Sequence, residues 1–268
     1  MPGQLARSLA LFLFIFALVL TTGISIAVAQ TPDNVANLEL LQLIHTPNAG
    51  VLKKGQYLVD LHAYGNGGLN MGIGIGLFDR MMFGVSYGGN SLLGYEKPVW
   101  NDLPGMVFKY RFIEEDNVFP AITVGFDMQG KGAWFDGVDR YQFKAPGLFA
   151  AASRNFISEF GRFGIHGGAN YNTIENENDS GLDFFCGADM SLSEQLILIG
   201  EYDFALDDNK EDQRFGEGPY GYLNLGVRLV FAQSLVIEVD ATDLLNTSTI
   251  TPGIGREIKI MYLETFSF

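Results

Sequence analysis

Cysteine, tryptophan and histidine are scarce in this chain, which has one cysteine, two tryptophans and three histidines in 268 residues. The single Cys186 excludes a disulfide framework, a cysteine metal site and a redox pair. His45, His62 and His166 are too far apart in sequence to show a metal-ligand spacing. We therefore predict no metal and no cofactor.

Basic residues are also few. There are 17 lysines and arginines against 31 aspartates and glutamates, so the formal net charge is -14. Nucleic-acid binding requires clustered cations to neutralise phosphates. We exclude a nucleic-acid partner on this basis.

Long apolar runs are absent except at the N-terminus. Arg7 precedes an apolar run from Leu9 to Leu20, and Ala27-Val28-Ala29 provides the small residues that a signal peptidase reads. Residues 1–29 are predicted to be a secretory signal peptide, with an uncleaved anchor helix as the alternative. Beyond this run the sequence has no stretch of about 18 apolar residues, so we do not expect membrane-spanning helices.

The abundant residues favour a sheet, since the chain has 22 phenylalanines, 11 tyrosines and 33 glycines. From Gln56 onward apolar and polar residues alternate in about twelve segments. In the last segment Ile258, Ile260, Tyr262, Phe266 and Phe268 share one face, and Glu257 and Lys259 share the other. This ending resembles the terminal strand and sorting signal of bacterial outer-membrane β-barrels, with Tyr262, Phe266 and Phe268 as its aromatic positions.

The segments and their links predict an all-β protein, a transmembrane antiparallel up-and-down β-barrel of about twelve strands over residues 56–268. Alternation alone is also typical of soluble barrels. The connections between the strands, however, are short turns at one end of the predicted barrel and mostly long loops at the other. This difference matches the periplasmic and extracellular ends of an outer-membrane barrel. One strand, residues 147–155, is apolar on both sides and leaves its register open.

The two faces are assigned by energetics. A lysine or arginine facing lipid near the bilayer midplane costs about 2–4 kcal/mol, so the charged face must line the lumen. The predicted lumen-lining residues are Lys109, Arg111, Asp127, Arg154, Arg162, His166, Glu201, Asp203, Arg228, Glu238, Asp240 and Lys259.

Two charge groups are predicted along this lumen. Four arginines (Arg111, Arg154, Arg162, Arg228) lie near the short-turn end, and four aspartates (Asp127, Asp183, Asp203, Asp240) lie nearer the long loops. The functional interpretation is an acidic mouth above a basic constriction that prefers anions; the alternative is a set of paired charges that stiffen the wall. Hairpin counting places Arg228 beside Glu238, and we predict an ion pair there.

Residues 30–55 precede the barrel and are predicted to lie in the periplasm or to insert into the lumen. Asp33 and Asn34 could cap a short helix through Leu43. Inward glycines such as Gly72, Gly74 and Gly226 could make room for a ligand or an inserted segment, but strand curvature is the favoured explanation.

Aromatic residues in the long loops, Tyr95, Trp100, Trp134 and Tyr141, could stack on sugar rings. Tyr64, Tyr87 and Tyr171 at the same end are predicted to belong to an interfacial aromatic girdle.

Five stretches resemble the barrel domain of YjbH-like outer-membrane proteins linked to exopolysaccharide. They are residues 46–50 (TPNAG), 84–89 (GVSYGG), 121–129 (AITVGFDMQ), 144–147 (KAPG) and 201–206 (EYDFAL). The resemblance implies a role linked to exopolysaccharide export.

Enzyme motifs are lacking. The Gly-x-Ser-x-Gly pattern occurs at residues 84–88 but lies within a predicted strand, whereas a nucleophile elbow needs a strand-to-helix turn. The residue two positions after His166 is a glycine, unlike the histidine and serine pattern of outer-membrane phospholipases. The pairs Glu201/Asp203 and Glu238/Asp240 could act as acid and base, but their spacing is that of any polar strand face. We predict a protein that is not an enzyme, with a barrel hydrolase as an alternative.

The predicted protein is integral to the outer membrane of a Gram-negative-type envelope and has a binding, passage or assembly role at the cell surface. A small-solute, anion-preferring channel is the first alternative. Its predicted partners are outer-membrane lipid, the barrel assembly machinery, and a polysaccharide or an anionic solute.

Overall fold

The computed structural model describes residues 39–266, apart from 136, 138, 159–160, 176–180, 209–220, 232–233, 250 and 252. The predicted signal peptide and Phe268 lie outside these ranges. In the part of the chain that is described, the strands are β1 (Gln56–Tyr64), β2 (Gly68–Phe78), β3 (Met81–Asn90), β4 (Val99–Trp100), β5 (Gly105–Ile113), β6 (Ala121–Asp127), β7 (Lys131–Phe135), β8 (Arg140–Phe143), β9 (Gly147–Ser158), β10 (Gly161–Tyr171), β11 (Leu182–Ser191), β12 (Leu196–Asp203), β13 (Tyr222–Phe231), β14 (Leu235–Thr242) and β15 (Gly255–Thr265). Within the described ranges, no helix has both the length and the apolarity needed to cross a membrane.

Twelve of these described strands form one closed antiparallel barrel. Each barrel strand pairs with the next one along the chain, and β1 pairs with β15 from Gln56↔Thr265 to Ala63↔Ile258. The short β4 pairs with the end of β3, while β7 and β8 form a separate hairpin. The predicted fold is confirmed.

The two faces of the wall differ as predicted. On β15, Ile258 is 49% exposed, whereas the neighbouring Lys259 is 3% exposed. On β9, whose register the sequence left open, Leu148 is 55% exposed and Phe149 is 5% exposed. The outer surface is therefore an apolar belt, and the charged residues of the wall face the lumen.

The ends of the barrel also differ. The turn after β2 spans only residues 79–80, whereas the connection from β3 to β5 spans residues 91–104 and contains β4. Both ends of the barrel sequence lie at the short-turn end, where Phe266 N donates to Gly55 O at 2.9 Å. Of the predicted sorting signal, Tyr262 and Phe266 face outward and are exposed, and the ring of Phe266 lies 4.6 Å from that of Tyr57.

Residues 39–52 lie inside the barrel; we call them the lumen segment. Leu43, Ile44 and Leu52 are completely or almost completely buried, and the backbone of the segment bonds to inward side chains of β5, β6, β9, β12 and β15. Residues 39–43 contain no helical turn. The predicted helix therefore does not reach Leu43, and its predicted start lies outside the described residues.

The hairpin of β7 and β8, which we call the mouth hairpin, folds over the long-loop end. Phe143 of this hairpin lies 4.8 Å from the ring of His45 in the lumen segment and 4.8 Å from the ring of Tyr222. Asn90 Nδ2 donates to Trp134 O at 2.8 Å and ties the hairpin to β3. The lumen segment is thus covered from the mouth.

Candidate functional site in the barrel lumen

The Glu201 carboxylate, on the inner face of β12, holds a turn of the lumen segment. It accepts hydrogen bonds from the backbone nitrogens of Ile44, His45 and Thr46 at 2.9, 2.8 and 3.0 Å. Thr46 Oγ1 and Asn224 Nδ2 also donate to it, at 2.9 and 2.7 Å. Consecutive backbone N–H groups that converge on one carboxylate form an anion-binding concavity. The segment thus supplies the donors that a buried carboxylate needs.

Cationic side chains of the wall hold the carbonyl oxygens of the segment. Lys109 Nζ donates to Leu41 O at 2.5 Å and to Gly50 O at 2.8 Å. Lys259 Nζ donates to Ile44 O at 2.9 Å. Carbonyl dipoles therefore compensate part of the cost of burying these two ammonium groups.

Ala49 O is the most heavily used acceptor of the segment. Arg111 donates to it from Nε at 3.1 Å and from Nη2 at 2.9 Å, and Thr123 Oγ1 donates at 2.7 Å. Arg111 also pairs with Glu39 and, at 3.2 Å, with Glu114. Burial raises the pKa of Glu39, and the charge of Arg111 opposes that rise.

The predicted pair of Arg228 and Glu238 is present and belongs to a larger network. The two residues are cross-strand partners, with Arg228 Nε donating to Glu238 Oε2 at 2.5 Å. Lys259 Nζ lies 2.8 Å from Glu238 Oε1 and 2.8 Å from Asp240 Oδ2. Two cations and two carboxylates of β13–β15 therefore neutralise one another inside the wall.

Two histidines share one carboxylate oxygen. His45 Nε2 of the lumen segment lies 3.0 Å from Glu257 Oε2, and His62 Nε2 of β1 lies 2.7 Å from the same atom. All three groups are buried. Sequence spacing could not place His45 beside His62, because the segment that carries His45 returns into the barrel.

Ser153, His166 and Asp189 form a hydrogen-bonded chain on three neighbouring strands. Ser153 Oγ lies 2.8 Å from His166 Nδ1, and His166 Nε2 lies 2.7 Å from Asp189 Oδ1. Ala49 N donates to Ser153 Oγ at 3.0 Å, so the chain ends on the lumen segment. His166 was predicted from the sequence as a lumen residue, and alternation also places Asp189 on the polar face of its strand. Ser153 was missed, because its strand is apolar on both sides, and the contact among the three residues was not predicted.

Most of the predicted lumen residues face inward. They are Lys109, Arg111, Asp127, Arg162, His166, Glu201, Asp203, Arg228, Glu238, Asp240 and Lys259. The prediction for Arg154 is wrong, since this residue follows the inward Ser153, donates to Asn117 O at 2.9 Å and lies 5.9 Å from the Phe156 ring. Near a strand end a long side chain can reach water from the outer face. The predicted basic ring is therefore incomplete.

The girdle prediction for Tyr64 is also wrong, because its side chain is buried and its hydroxyl donates to Gly89 O at 3.1 Å. Tyr87 and Tyr171 are exposed on the outer face, as predicted.

Some inward glycines lie against the chain inside the barrel, which agrees with the alternative that they make room for an inserted segment. A Cβ at Gly187 would lie 2.7 Å from Leu43 Cδ1, and a Cβ at Gly226 would lie 3.2 Å from Ile44 Cδ1. At Gly76 a Cβ would lie 1.9 Å from Lys53 O. At Gly76 a side chain would collide with the backbone inside the barrel. At Gly187 and Gly226 a side chain would also meet nearer atoms of the wall, Gly200 O at 2.6 Å and Asp240 Oδ1 at 2.3 Å.

A cavity of about 130 Å³ remains beside the lumen segment, bordered by β1, β2, β3, β5 and β6 and also by inward residues of β13–β15, including Arg228 and Lys259. Its wall includes the inward glycines 72, 74 and 84, and its polar lining includes Asp60, Asn70, Asp127, Lys109 and Lys131. Asn70 Oδ1 is buried and has no hydrogen-bond partner among the described residues. The cavity thus offers an unsatisfied acceptor to a small polar molecule.

At the mouth, Arg140 is completely buried and pairs with Asp208 through two bonds, Nη1–Oδ1 at 2.7 Å and Nη2–Oδ2 at 3.0 Å. Burial raises the pKa of the neighbouring Asp207 to about 7, against the opposing charge of Lys144. Nearby carboxylates, including Asp208, raise this pKa further. Within the described ranges no group of three or more histidine, cysteine or acidic side chains is arranged to hold a metal ion.

The chain is similar to several solved barrels at low identity. It resembles a KdgM porin (8% identity, 79% of this chain and 99% of that chain, TM-score 0.45) and a NanC porin (8%, 79% and 100%, TM-score 0.43). It also resembles an outer-membrane channel, COG4313, from Pseudomonas putida F1 (12%, 88% and 100%, TM-score 0.42). No family model matches the sequence. No curated protein is significantly similar to it.

Proposed function

We propose that the chain is an integral outer-membrane barrel that passes small polar solutes through a lumen closed at rest by the lumen segment. The observation that supports this most directly is the seating of residues 39–52 on buried charges of the wall. A barrel of eight strands is filled by its own side chains, whereas a wider barrel leaves interior space. Here the chain itself occupies much of that space.

The lumen segment makes both polar and apolar contacts with the wall. Leu43 and Ile44 pack with Ile199, and Leu52 packs with Met82, while the backbone of the segment bonds to charged side chains that water can also solvate. Water can replace hydrogen bonds to Glu201, Lys109 and Arg111 when the segment moves, and each such bond contributes only about 0.5–3 kcal/mol net. The cavity beside the segment marks where a path would widen first. Because its lining carries both carboxylates and amines, and because Arg111 and Arg228 are paired, we propose polar solutes of mixed charge in place of a strict anion preference.

A disulfide lock tests this proposal. Ala49 N donates to Ser153 Oγ at 3.0 Å, so positions 49 and 153 are neighbours across the contact between the segment and the wall, and we select them for a cysteine pair. The variant carries Ala49→Cys and Ser153→Cys in a Cys186→Ala background. In a planar bilayer we expect transient conducting events from the reduced form, when the segment leaves its resting position, and a loss of these events on oxidation. The matched control is Cys186→Ala with Ser153→Cys alone, which should conduct equally in both states.

A second variant, a deletion in the lumen segment, tests the passage proposal without relying on a disulfide. Deleting residues 39–50 should give a steady conductance larger than that of the full chain. A folded barrel that does not conduct in either variant would overturn the passage proposal. The exopolysaccharide role stays a prediction from the sequence resemblance, and genes for glycan export beside this one would favour it.

A hydrolase is the second candidate, because Ser153, His166 and Asp189 have the connectivity of a nucleophile, a base and an orienting carboxylate. Ser153 Oγ is buried beneath Ala49, so it could react only when the segment leaves. A fluorophosphonate probe tests this: the serine oxygen bonds to phosphorus, fluoride leaves and the proton passes to His166. Labelling of the 39–50 deletion that is lost in Ser153→Ala would support a hydrolase, and no labelling would exclude it.

A further inference from the structure

The aromatic residues of the long loops have separate environments. Trp100 is stacked in parallel on Tyr87, which faces outward, with ring centroids 5.6 Å apart. Tyr141, in β8 of the mouth hairpin, is buried. Trp134 and the fully exposed Tyr95 instead line a groove between the loop after β3 and the mouth hairpin. Neither the closure of the lumen nor the apolar belt accounts for this pair.

The groove has a volume of about 820 Å³ and lies outside the lumen. We call it the loop groove. Its polar and aromatic lining includes Asn66, Asn90, Ser91, Tyr95, Glu96 and Trp134, and its apolar lining includes Leu93, Val99, Ala133 and Phe135. Asn90 already donates to Trp134 O and Ser91 Oγ to Glu96, so these groups offer a ligand their remaining donor and acceptor capacity. A volume of this size is within the range of small-molecule sites, roughly 300–1,000 Å³. It can accommodate a ligand of several rings.

The floor of the loop groove is held by hydrogen bonds. Ser91 N donates to Asn66 O at 3.0 Å and Leu93 N donates to Gly67 O at 2.9 Å, which fix the loop to the turn after β1. On the other side, the Trp134 ring packs edge-on against buried Tyr141 at 4.9 Å. A ligand would therefore meet a largely formed site and would cost little loop ordering.

The chemistry of the lining favours a carbohydrate. Tyrosine and tryptophan rings offer flat apolar faces together with polar edges, which suit the C–H faces and the hydroxyl groups of sugar rings. Asparagine amides and the serine hydroxyl can both donate and accept. The described lining residues include one carboxylate, Glu96, and no lysine or arginine. This composition disfavours an acidic glycan.

We propose that the loop groove binds a neutral oligosaccharide, with Trp134 and Tyr95 as stacking platforms. The site goes beyond passage through the lumen, because a ligand can bind there while the lumen segment stays in place. It shares with the proposed function only the orientation that puts the long loops outside the cell.

Tryptophan fluorescence tests this directly, since the whole chain has only two tryptophans. In the mature protein in detergent micelles, Trp100→Phe leaves Trp134 as the only reporter. We titrate maltohexaose, cellohexaose and laminarihexaose, and in parallel a uronic-acid hexamer. At least one neutral sugar should give a saturable change in emission, and the uronic-acid hexamer should bind at least about fivefold more weakly because of Glu96.

The variant Tyr95→Ala should weaken binding by about two- to tenfold, the range for one aromatic contact. Because Tyr95 is fully exposed, its removal should leave folding unchanged. Tyr171→Ala, an exposed tyrosine on the outer face, is the matched control and should bind normally.

The proposal would be overturned by no saturable change with any neutral sugar, by unchanged affinity in Tyr95→Ala, or by tighter binding of the uronic-acid hexamer. A variant with Trp134→Phe, which leaves Trp100 as reporter, should show no saturable change; an equal response there would mark the signal as nonspecific and would also overturn it. These measurements do not depend on conductance, so the sugar-binding proposal and the passage proposal can be disproved independently.

Discussion

Two sides of the lumen wall treat the lumen segment differently. The charged wall, formed by Glu201, Arg228, Glu238, Asp240, Glu257 and Lys259 on β12–β15, bonds to the segment and pairs internally. The glycine wall, formed by Gly72, Gly74 and Gly84 on β2 and β3, borders the cavity. The charged wall therefore fixes the lumen segment, while the glycine wall leaves room for the segment to move or for a solute to pass.

The largest expected effect is on the charged wall. Replacing Arg228 with methionine leaves Glu238 with only part of its compensation, and breaking a buried pair in this way costs about 3–5 kcal/mol. We expect a clearly lower midpoint of urea unfolding in detergent, followed by far-UV circular dichroism. Arg80→Met is the control, because Arg80 and Glu114 form a half-exposed pair. Equal shifts in the two variants would show that the charged network does not stabilise the wall.

Glu201→Gln tests how strongly the Glu201 carboxylate holds the turn of the lumen segment. The neutral amide accepts more weakly from the N–H groups of Ile44, His45 and Thr46, and bonds to a charged group are worth about 1.5–3 kcal/mol. Amide exchange at these three residues should speed up at least about tenfold, measured by mass spectrometry. Glu194→Gln, in an exposed turn, should leave exchange unchanged. Unaltered protection in Glu201→Gln would mean that another contact holds the turn.

The local stability of the loop that contains Asp207, at the mouth of the barrel, should depend on pH. Because the folded pKa of Asp207 is raised to about 7, above its unfolded value, its contribution to stability is full below the unfolded pKa and is lost as pH rises through about 7. After correction for intrinsic rates, amides of residues 205–208 should exchange several-fold more slowly at about pH 5 than at about pH 8. Asp207→Asn should remove this difference. A pH dependence that persists in Asp207→Asn would assign it to another group.

The smallest effect compares one glycine from each wall. A Cβ at Gly74 would meet only the flexible ends of Leu52 and Met82, at 3.3 and 3.6 Å, so Gly74→Ala should change stability by less than about 1 kcal/mol. A Cβ at Gly226 would lie 2.3 Å from Asp240 Oδ1, which Lys259 holds, so Gly226→Ala should destabilise more. Urea unfolding of both variants measures this. A greater loss in Gly74→Ala would reverse the assignment of the two walls.

The alternation of apolar and polar residues was sufficient to predict which side chains of the barrel wall face the lumen. Alternation along β15 placed Lys259 inward and Ile258 outward, and hairpin counting placed Arg228 beside Glu238, because strand periodicity and turn length act over a few residues. The same logic failed for Arg154, where a strand end lets a charged side chain reach water from the outer face. Alternation could not assign the inward face of β9, because both faces of this strand are apolar.

The sequence by itself determined the closed barrel of about twelve strands, its outward and inward faces, and its unequal ends, since each follows from neighbouring residues. Only the tertiary structure decided what fills the lumen. Ile44 meets Glu201 across 157 positions, and His45 meets Glu257 across 212. Such contacts exist only after β1 and β15 close the ring around residues 39–52, and no periodicity along the chain encodes which interior groups then face one another.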